Sequence, residues 1–191
     1  MLRLRPYKSC DARYIVSWIR DEVTFYRWSA DQYRKFPICA EDMNEKYAAY
    51  ADKDDFFEMT ALDDNKVVGH LIMRFLDEEK TILRFGFIIV DDTKRGKGYG
   101  KGMLSLALKY AFEILKVEKV TLGVFQNNES AYRCYTSLGF RKDSSKEPVV
   151  SRILGETWKY DELEIAYKDW AEDVQFFGTA CMDCQTFKAK G

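Results

Sequence analysis

The apolar positions of this chain change period several times, and those changes divide it into elements. Leu2–Tyr7 reads as a short strand. From Asp11 to Ile19 the apolar residues Ala12, Ile15, Val16 and Ile19 fall at helical spacing, with Asp11 as the expected N-cap. Residues 21–39 carry Phe25, Tyr26, Trp28, Tyr33 and Phe36 and read as short helix and loop interrupted by Pro37; Ala40–Ala51 reads as another helix. The period then shortens. Phe56–Leu62, Val67–Leu76 and Thr81–Val90 are rich in β-formers and are separated by the turn clusters Asp63-Asp64-Asn65-Lys66 and Asp77-Glu78-Glu79-Lys80. They predict a three-strand meander. The helical period returns over Lys101–Lys116, where Met103, Leu104, Ala107, Leu108, Ala111, Phe112 and Leu115 form one apolar stripe. Lys119–Phe125 is a strand. Glu129–Leu138 is a helix with Asn127-Asn128 as cap candidates and Gly139 as its C-terminal stop. Phe140 opens a further strand and Thr157–Tyr167 completes the sheet.

This order predicts a mixed α/β sheet in one domain. The domain is expected over residues 1–169, and residues 170–191, whose periodicity is weak, form a tail. Composition adds exclusions. Lys plus Arg number 30 against 31 Asp plus Glu, a balance that argues against a general nucleic-acid binder. No apolar run approaches the ~20 residues of a membrane-spanning helix. The charged start, Met1-Leu2-Arg3-Leu4-Arg5, does not read as a signal peptide, so a cytoplasmic protein with reduced thiols and no membrane contact is expected. Cys181-x-x-Cys184 is the one paired cysteine motif, and with His70 as the single histidine it has no zinc partners, so no metal is expected.

The candidate chemistry lies between the third meander strand and the following helix. Gly96, Gly98 and Gly100 alternate there, and Lys94, Arg95, Lys97 and Lys101 surround them. Glycines allow positive φ and expose successive amides, and a helix N-terminus adds a favourable field for an anion. The segment suits a pyrophosphate. It is not a P-loop, which needs GxxxxGK followed by Ser or Thr. The meander before it contradicts a dinucleotide-binding βαβ half.

Val90 to Gly100 resembles the acetyl-CoA-binding signature of the GNAT superfamily of N-acetyltransferases, with Arg95, Gly98 and Gly100 on its defining positions. A second block, Asn128-x-x-Ala131-x-x-x-Tyr135-x-x-x-Gly139-Phe140, is similar to the family's later helix motif. The resemblance covers roughly residues 2–168. It implies a central, mostly antiparallel sheet of about six to seven strands, splayed at the cofactor site and flanked by helices. It implies acetyl-CoA as co-substrate, with the backbone of Ile88, Ile89 and Val90 pairing with the pantetheine arm. The amides and side chains of Arg95, Gly96, Lys97, Gly98, Tyr99, Gly100 and Lys101 would hold the pyrophosphate. Asn128 would bond the cofactor or cap its helix, and Tyr135 would protonate the leaving thiolate. The amide of Ile88 would polarise the carbonyl.

The implied reaction is direct attack of a neutral primary amine, on a small molecule, an amino acid or a peptide N-terminus. The general base is where the chain departs from the family pattern. Arg84 and Gly123 occupy the two positions at which family members carry a Glu; Glu58, His70 or a water chain are the alternatives. By strand alternation Arg84 shares a face with Gly86 and Ile88. It reads either as a fork for a substrate carboxylate or phosphate, or as the partner of an acid on a neighbouring strand. Trp28, Tyr33 and Phe36 are either acceptor wall or core. Two other readings stand beside catalysis: a non-catalytic acyl-CoA sensor of the same fold, and an interaction module whose tail, with Trp170, Phe176, Phe177 and the CxxC, binds a partner or seals a homodimer.

Overall fold

The computed structural model describes residues 1–33 and 35–172. Phe176, Phe177, Cys181 and Cys184 lie outside them. Eight strands form one sheet: β1 (Arg3–Pro6), β2 (Phe56–Asp63), β3 (Lys66–Phe75), β4 (Ile82–Val90), β5 (Lys119–Phe125), β6 (Arg141–Lys142), β7 (Val149–Ile153) and β8 (Glu156–Ala166). Their spatial order is β1-β2-β3-β4-β5-β8-β6, with β7 paired to β8. All pairs are antiparallel except β4–β5. β7 is the strand that periodicity did not mark, whereas β8 covers the strand expected over Thr157–Tyr167.

Five α-helices cover the two faces: α1 (Ala12–Ser17), α2 (Glu22–Ser29), α3 (Ala40–Ala48), α4 (Tyr99–Lys109) and α5 (Glu129–Thr136). One face packs α4 and α5 on the sheet through Met103, Leu104, Leu108, Leu71, Met73, Leu83, Phe85 and Tyr135. The other packs α1, α2 and α3 through Ile15, Phe25, Trp28, Met43, Tyr47, Ile72, Phe87 and Ile89. Each such large apolar side chain contributes roughly 1.5–3 kcal/mol by leaving water. The helix expected to run to Lys116 leaves α geometry at Lys109. A π turn follows over Tyr110–Ile114, and Lys116 at φ +58° ends it. Residues 167–172 are helical, and Trp170 packs at 5.1 Å on Phe112.

Asp11 does not act as the expected side-chain cap of α1. Its carboxylate turns back to Arg5, whose Nη1 and Nη2 donate at 2.6 and 2.8 Å, and also accepts from Thr60 Oγ1 at 2.8 Å and the Lys8 amide at 3.0 Å. An almost fully buried carboxylate needs these donors more than an accessible helix end does.

His70 is fully buried on β3; its Nε2 lies 2.7 Å from the Tyr47 hydroxyl, and Nδ1 has no partner among the described residues. Burial pushes its pKa down to about 3. The folded state therefore refuses a proton that the unfolded chain accepts near ~6.5. Stability is full above that value and falls as pH drops from ~6.5 toward 3. We expect urea denaturation at pH 5 to give about 2 kcal/mol less stability than at pH 7 from this residue. A His70→Gln variant that shows the same drop would remove His70 as its cause.

Candidate functional site

The site is built where β4 and β5 part. They pair in parallel only from Ile82↔Lys119 to Phe85↔Leu122. From Gly86 onward the β5-facing edge of β4 has no strand partner among the described residues, so Gly86–Val90 present free backbone groups to a wedge.

β4 is bulged at the mouth of that wedge. Between the pairs Ile72↔Gly86 and His70↔Ile89, β3 contributes Leu71 and β4 contributes both Phe87 and Ile88. Phe87 takes φ +47°, a conformation that costs a bulky residue roughly 1–3 kcal/mol. Its surroundings impose it: the Trp28 indole N–H donates to the Phe87 carbonyl at 2.9 Å, and Trp28 and Tyr33 pack on its ring at 5.0 and 5.6 Å. The bulge breaks the expected alternation. Gly86 faces Ile72 on the α1–α3 side, Phe87 remains on that side, and Ile88 crosses to the α4 side. Arg84 therefore does not share a face with Ile88.

After β4, Asp91 Oδ1 caps a short turn through the Thr93 amide at 3.0 Å. Gly96 and Gly98 follow at φ +75° and +82°, values that a side chain would strain. Gly98 is the N-cap of α4. The first bond of that helix runs from the Gly102 amide to the Gly98 carbonyl at 2.9 Å, so the amides of Tyr99, Gly100 and Lys101 precede the helical ladder. A Cβ placed on Gly96 or Gly98 would meet nothing within 4 Å. The loop borders open space, not packed protein.

A cavity of about 1160 Å³ runs along this wedge. Of the residues singled out from sequence, Trp28, Arg84, Ile88, Ile89, Val90, Arg95, Gly96, Gly98, Tyr99, Gly100, Lys101, Asn128 and Tyr135 all line it. Lys97 does not; its ammonium turns back to the Thr93 carbonyl at 3.4 Å. Glu58 and His70, the alternative bases, do not line it either. Asn128 caps α5, its Oδ1 accepting from the Ala131 amide at 3.4 Å. Trp28 is 6% exposed, so it belongs mainly to the core while touching the cavity.

Tyr135, from α5, is buried, and burial raises its pKa well above the usual phenol value. Its hydroxyl makes no hydrogen bond among the described residues, which leaves its proton available on the cavity side. A phenol held neutral can donate a proton and cannot act as an anion near neutral pH.

Gly123 is explained by its neighbours. A Cβ on it would lie 1.7 Å from the Tyr160 hydroxyl, because the Tyr160 ring from β8 lies across β5 at this point. Glu162, register partner of Gly123, rises beside it. Arg84 grips Glu162 in a fork, Nη1 to Oε2 at 2.7 Å and Nη2 to Oε1 at 2.9 Å, and Nη2 also donates to the Tyr160 hydroxyl at 2.8 Å. Arg84 thus pairs with a strand neighbour's acid. Glu162 and Tyr160, which sequence reasoning missed, stand where the carboxylate was expected. No local motif marks them, since β8 meets Gly123 only through antiparallel register.

The model of the acetyltransferase (GNAT) family matches residues 20–140, more than half of the chain. The chain belongs to this family. The prophage-derived uncharacterized N-acetyltransferase YokL of Bacillus subtilis strain 168 is 29% identical over 116 residues, 60% of this chain and 64% of that protein. A spermine/spermidine N(1)-acetyltransferase of the same organism is 36% identical over 52 residues, 27% and 34% of the two chains. The matched stretches thus span less than two thirds of these GNAT relatives. Among solved structures, spermidine N-acetyltransferase from Vibrio cholerae in complex with CoA and spermine superposes with a TM-score of 0.74 at 20% identity, over 89% of this chain and 98% of that one. The likeness is one of fold, and that GNAT fold has the open, mostly antiparallel sheet described above. The sheet here has eight strands against the six to seven expected, the count rising with β7 and the two-residue β6.

Proposed function

We propose that this chain is an acetyl-CoA-dependent N-acetyltransferase that acylates a primary amine by direct attack, with the catalytic unit in residues 1–169. The observation that carries the reading is the wedge between β4 and β5, which ends at one side on free helix amides and contains a protonated, unpartnered tyrosine. Acetyl-CoA supplies a thioester open to attack by an amine.

The chain's own residues do the rest. The amides of Tyr99–Lys101, with Arg95 and Lys101, hold the pyrophosphate. The free edge of Ile88–Val90 pairs with the amide-bearing arm as an added strand would. The bulge at Phe87 turns the Ile88 amide out of the ladder with β3, so that it can polarise a carbonyl. Tyr135 gives its proton to the departing sulfur and is reprotonated from water, which takes up the proton shed by the attacking nitrogen. Glu162, one of two carboxylates lining the cavity with Asp55, accepts a hydrogen bond from the incoming amine, and Arg84 fixes its direction.

Release of CoA thiol from acetyl-CoA, followed across polyamines, amino acids, aminosugars and N-terminal peptides, tests this. At least one primary amine is expected to accelerate release and to gain one acetyl group by mass. Binding of acetyl-CoA with no amine accelerating release would favour the non-catalytic sensor.

A further inference from the structure

The cavity extends well past the reaction corner. Along β4, Arg84 lies six residues before Val90, roughly 20 Å at ~3.3 Å per residue from the strand end that leads into the glycine loop. Register sets Phe56, Arg74 and Arg84 in one row across β2, β3 and β4. Lys53 and Asp55 immediately precede that row and Lys46 comes from α3, and all of them line the cavity. This end lies away from the amides assigned to the pyrophosphate, so it receives the acceptor.

Its charge is one-sided. Arg84 and Glu162 neutralise each other as a fork pair. That leaves Lys46, Lys53 and Arg74 against Asp55, and none of those three cations forms an ion pair among the described residues. Lys46 is the informative one. It is half-buried, and its ammonium lies 4.8 Å from the Tyr33 ring centre and 5.7 Å from that of Phe87, above the bulge. It donates to the Gln32 carbonyl at 2.9 Å. An ammonium has three donors, and a cation drawn partly out of water with one neutral acceptor is under-compensated. Burial accordingly lowers its pKa. An anion on the bound acceptor would complete it.

We infer that the acceptor is a primary amine that also carries an anionic group, a carboxylate or a phosphate, and that this end of the cavity disfavours polyamines. The amine goes to Glu162 beside the bulge, and the anionic group goes to Lys46, with Arg74 reinforcing it. A polyamine would bring several further positive charges to a wall where cations already outnumber acids. This inference rests on the acetyl-transfer reading for its turnover, but its selectivity can be read from binding alone.

The test uses the full chain saturated with CoA and measures acceptor binding by calorimetry. The probes are 5-aminopentanoate against pentylamine and glucosamine 6-phosphate against glucosamine, the second of each pair having no charge in place of the anion, and spermidine. One of the two anionic probes is expected to bind about tenfold to a hundredfold tighter than its uncharged counterpart and than spermidine, the range of a hydrogen-bonded charge. The pair that shows the gap tells carboxylate from phosphate. Added salt is expected to narrow the gap. In Lys46→Gln the anionic-to-neutral ratio is expected to fall severalfold, with Lys46→Arg retaining part of it. Spermidine binding as tightly as both anionic probes, or a ratio unmoved in a folded Lys46→Gln, would overturn the inference. Anion-selective binding without acetyl transfer to any probe would sustain the inference and count against the transferase reading.

Discussion

Replacing Tyr135 by Phe is expected to lower kcat by on the order of 10²–10⁴-fold, the usual contribution of a positioned proton donor. The dissociation constant of acetyl-CoA should change little, because the ring remains and the hydroxyl makes no hydrogen bond among the described residues. Stability should hold for the same reason, since Tyr135 packs through its ring on Phe140 at 6.3 Å. The raised phenol pKa has a further consequence. The proton stays on Tyr135 through the neutral and mildly alkaline range, so the alkaline limb of the kcat profile should not come from its ionisation. Single-turnover kinetics on the folded variant decide it. A Tyr135→Phe enzyme within threefold of the parent would remove the acid role and leave proton transfer to water.

The second large effect concerns the pair beside Gly123. Arg84 and Glu162 have side chains only 18% exposed and bond through two short contacts. Arg84→Met leaves the Glu162 carboxylate without its fork and the Tyr160 hydroxyl without its donor. Removing one partner of a buried pair costs about 3 kcal/mol, mainly because the remaining charge is stranded. Converting both, Arg84→Met with Glu162→Gln, removes the stranded charge and should recover much of that loss. Urea denaturation of the two single variants and the double variant forms the cycle. Strictly additive losses would mean that the pair is not formed in solution. The acetyl-transfer rate should stay low in the double variant even where stability returns, because a neutral amide has replaced the carboxylate that accepts from the amine.

Much of the frame was legible along the chain. Three strands separated by Asp-rich turns, the apolar stripe of α4 and the Asn128–Gly139 helix each announced themselves through local period and local punctuation. The glycine loop was equally local. Gly96 and Gly98 do adopt positive φ, and the helix opening after them supplies free amides. Such features depend on residues within a few positions of one another, and a linear reading captures them.

The limits of that reading also have physical causes. Asp11 looked like a helix cap because Asp favours caps. It is drawn instead to Arg5 and Thr60, 49 residues further on, through the β1–β2 pairing. His70 and Glu58 looked like spare bases because nothing local says which face of a strand meets a cavity. Ile88 was assigned to the face of Arg84 because alternation assumes an unbroken ladder, and the bulge at Phe87 depends on Trp28 far upstream.

By itself the sequence determined most of the elements, the glycine turn and the place of Tyr135 on its helix. These are set by spacing along one helix, one strand or one loop. The tertiary structure alone decided what stands in the missing carboxylate's place. Gly123 and Arg84 are uninformative until antiparallel register lays Tyr160 and Glu162 of β8 across β5. It also decided the charge at the end of the cavity proposed for the acceptor, because Lys46, Lys53 and Arg74 lie far apart along the chain and converge only when the sheet and its helices are packed.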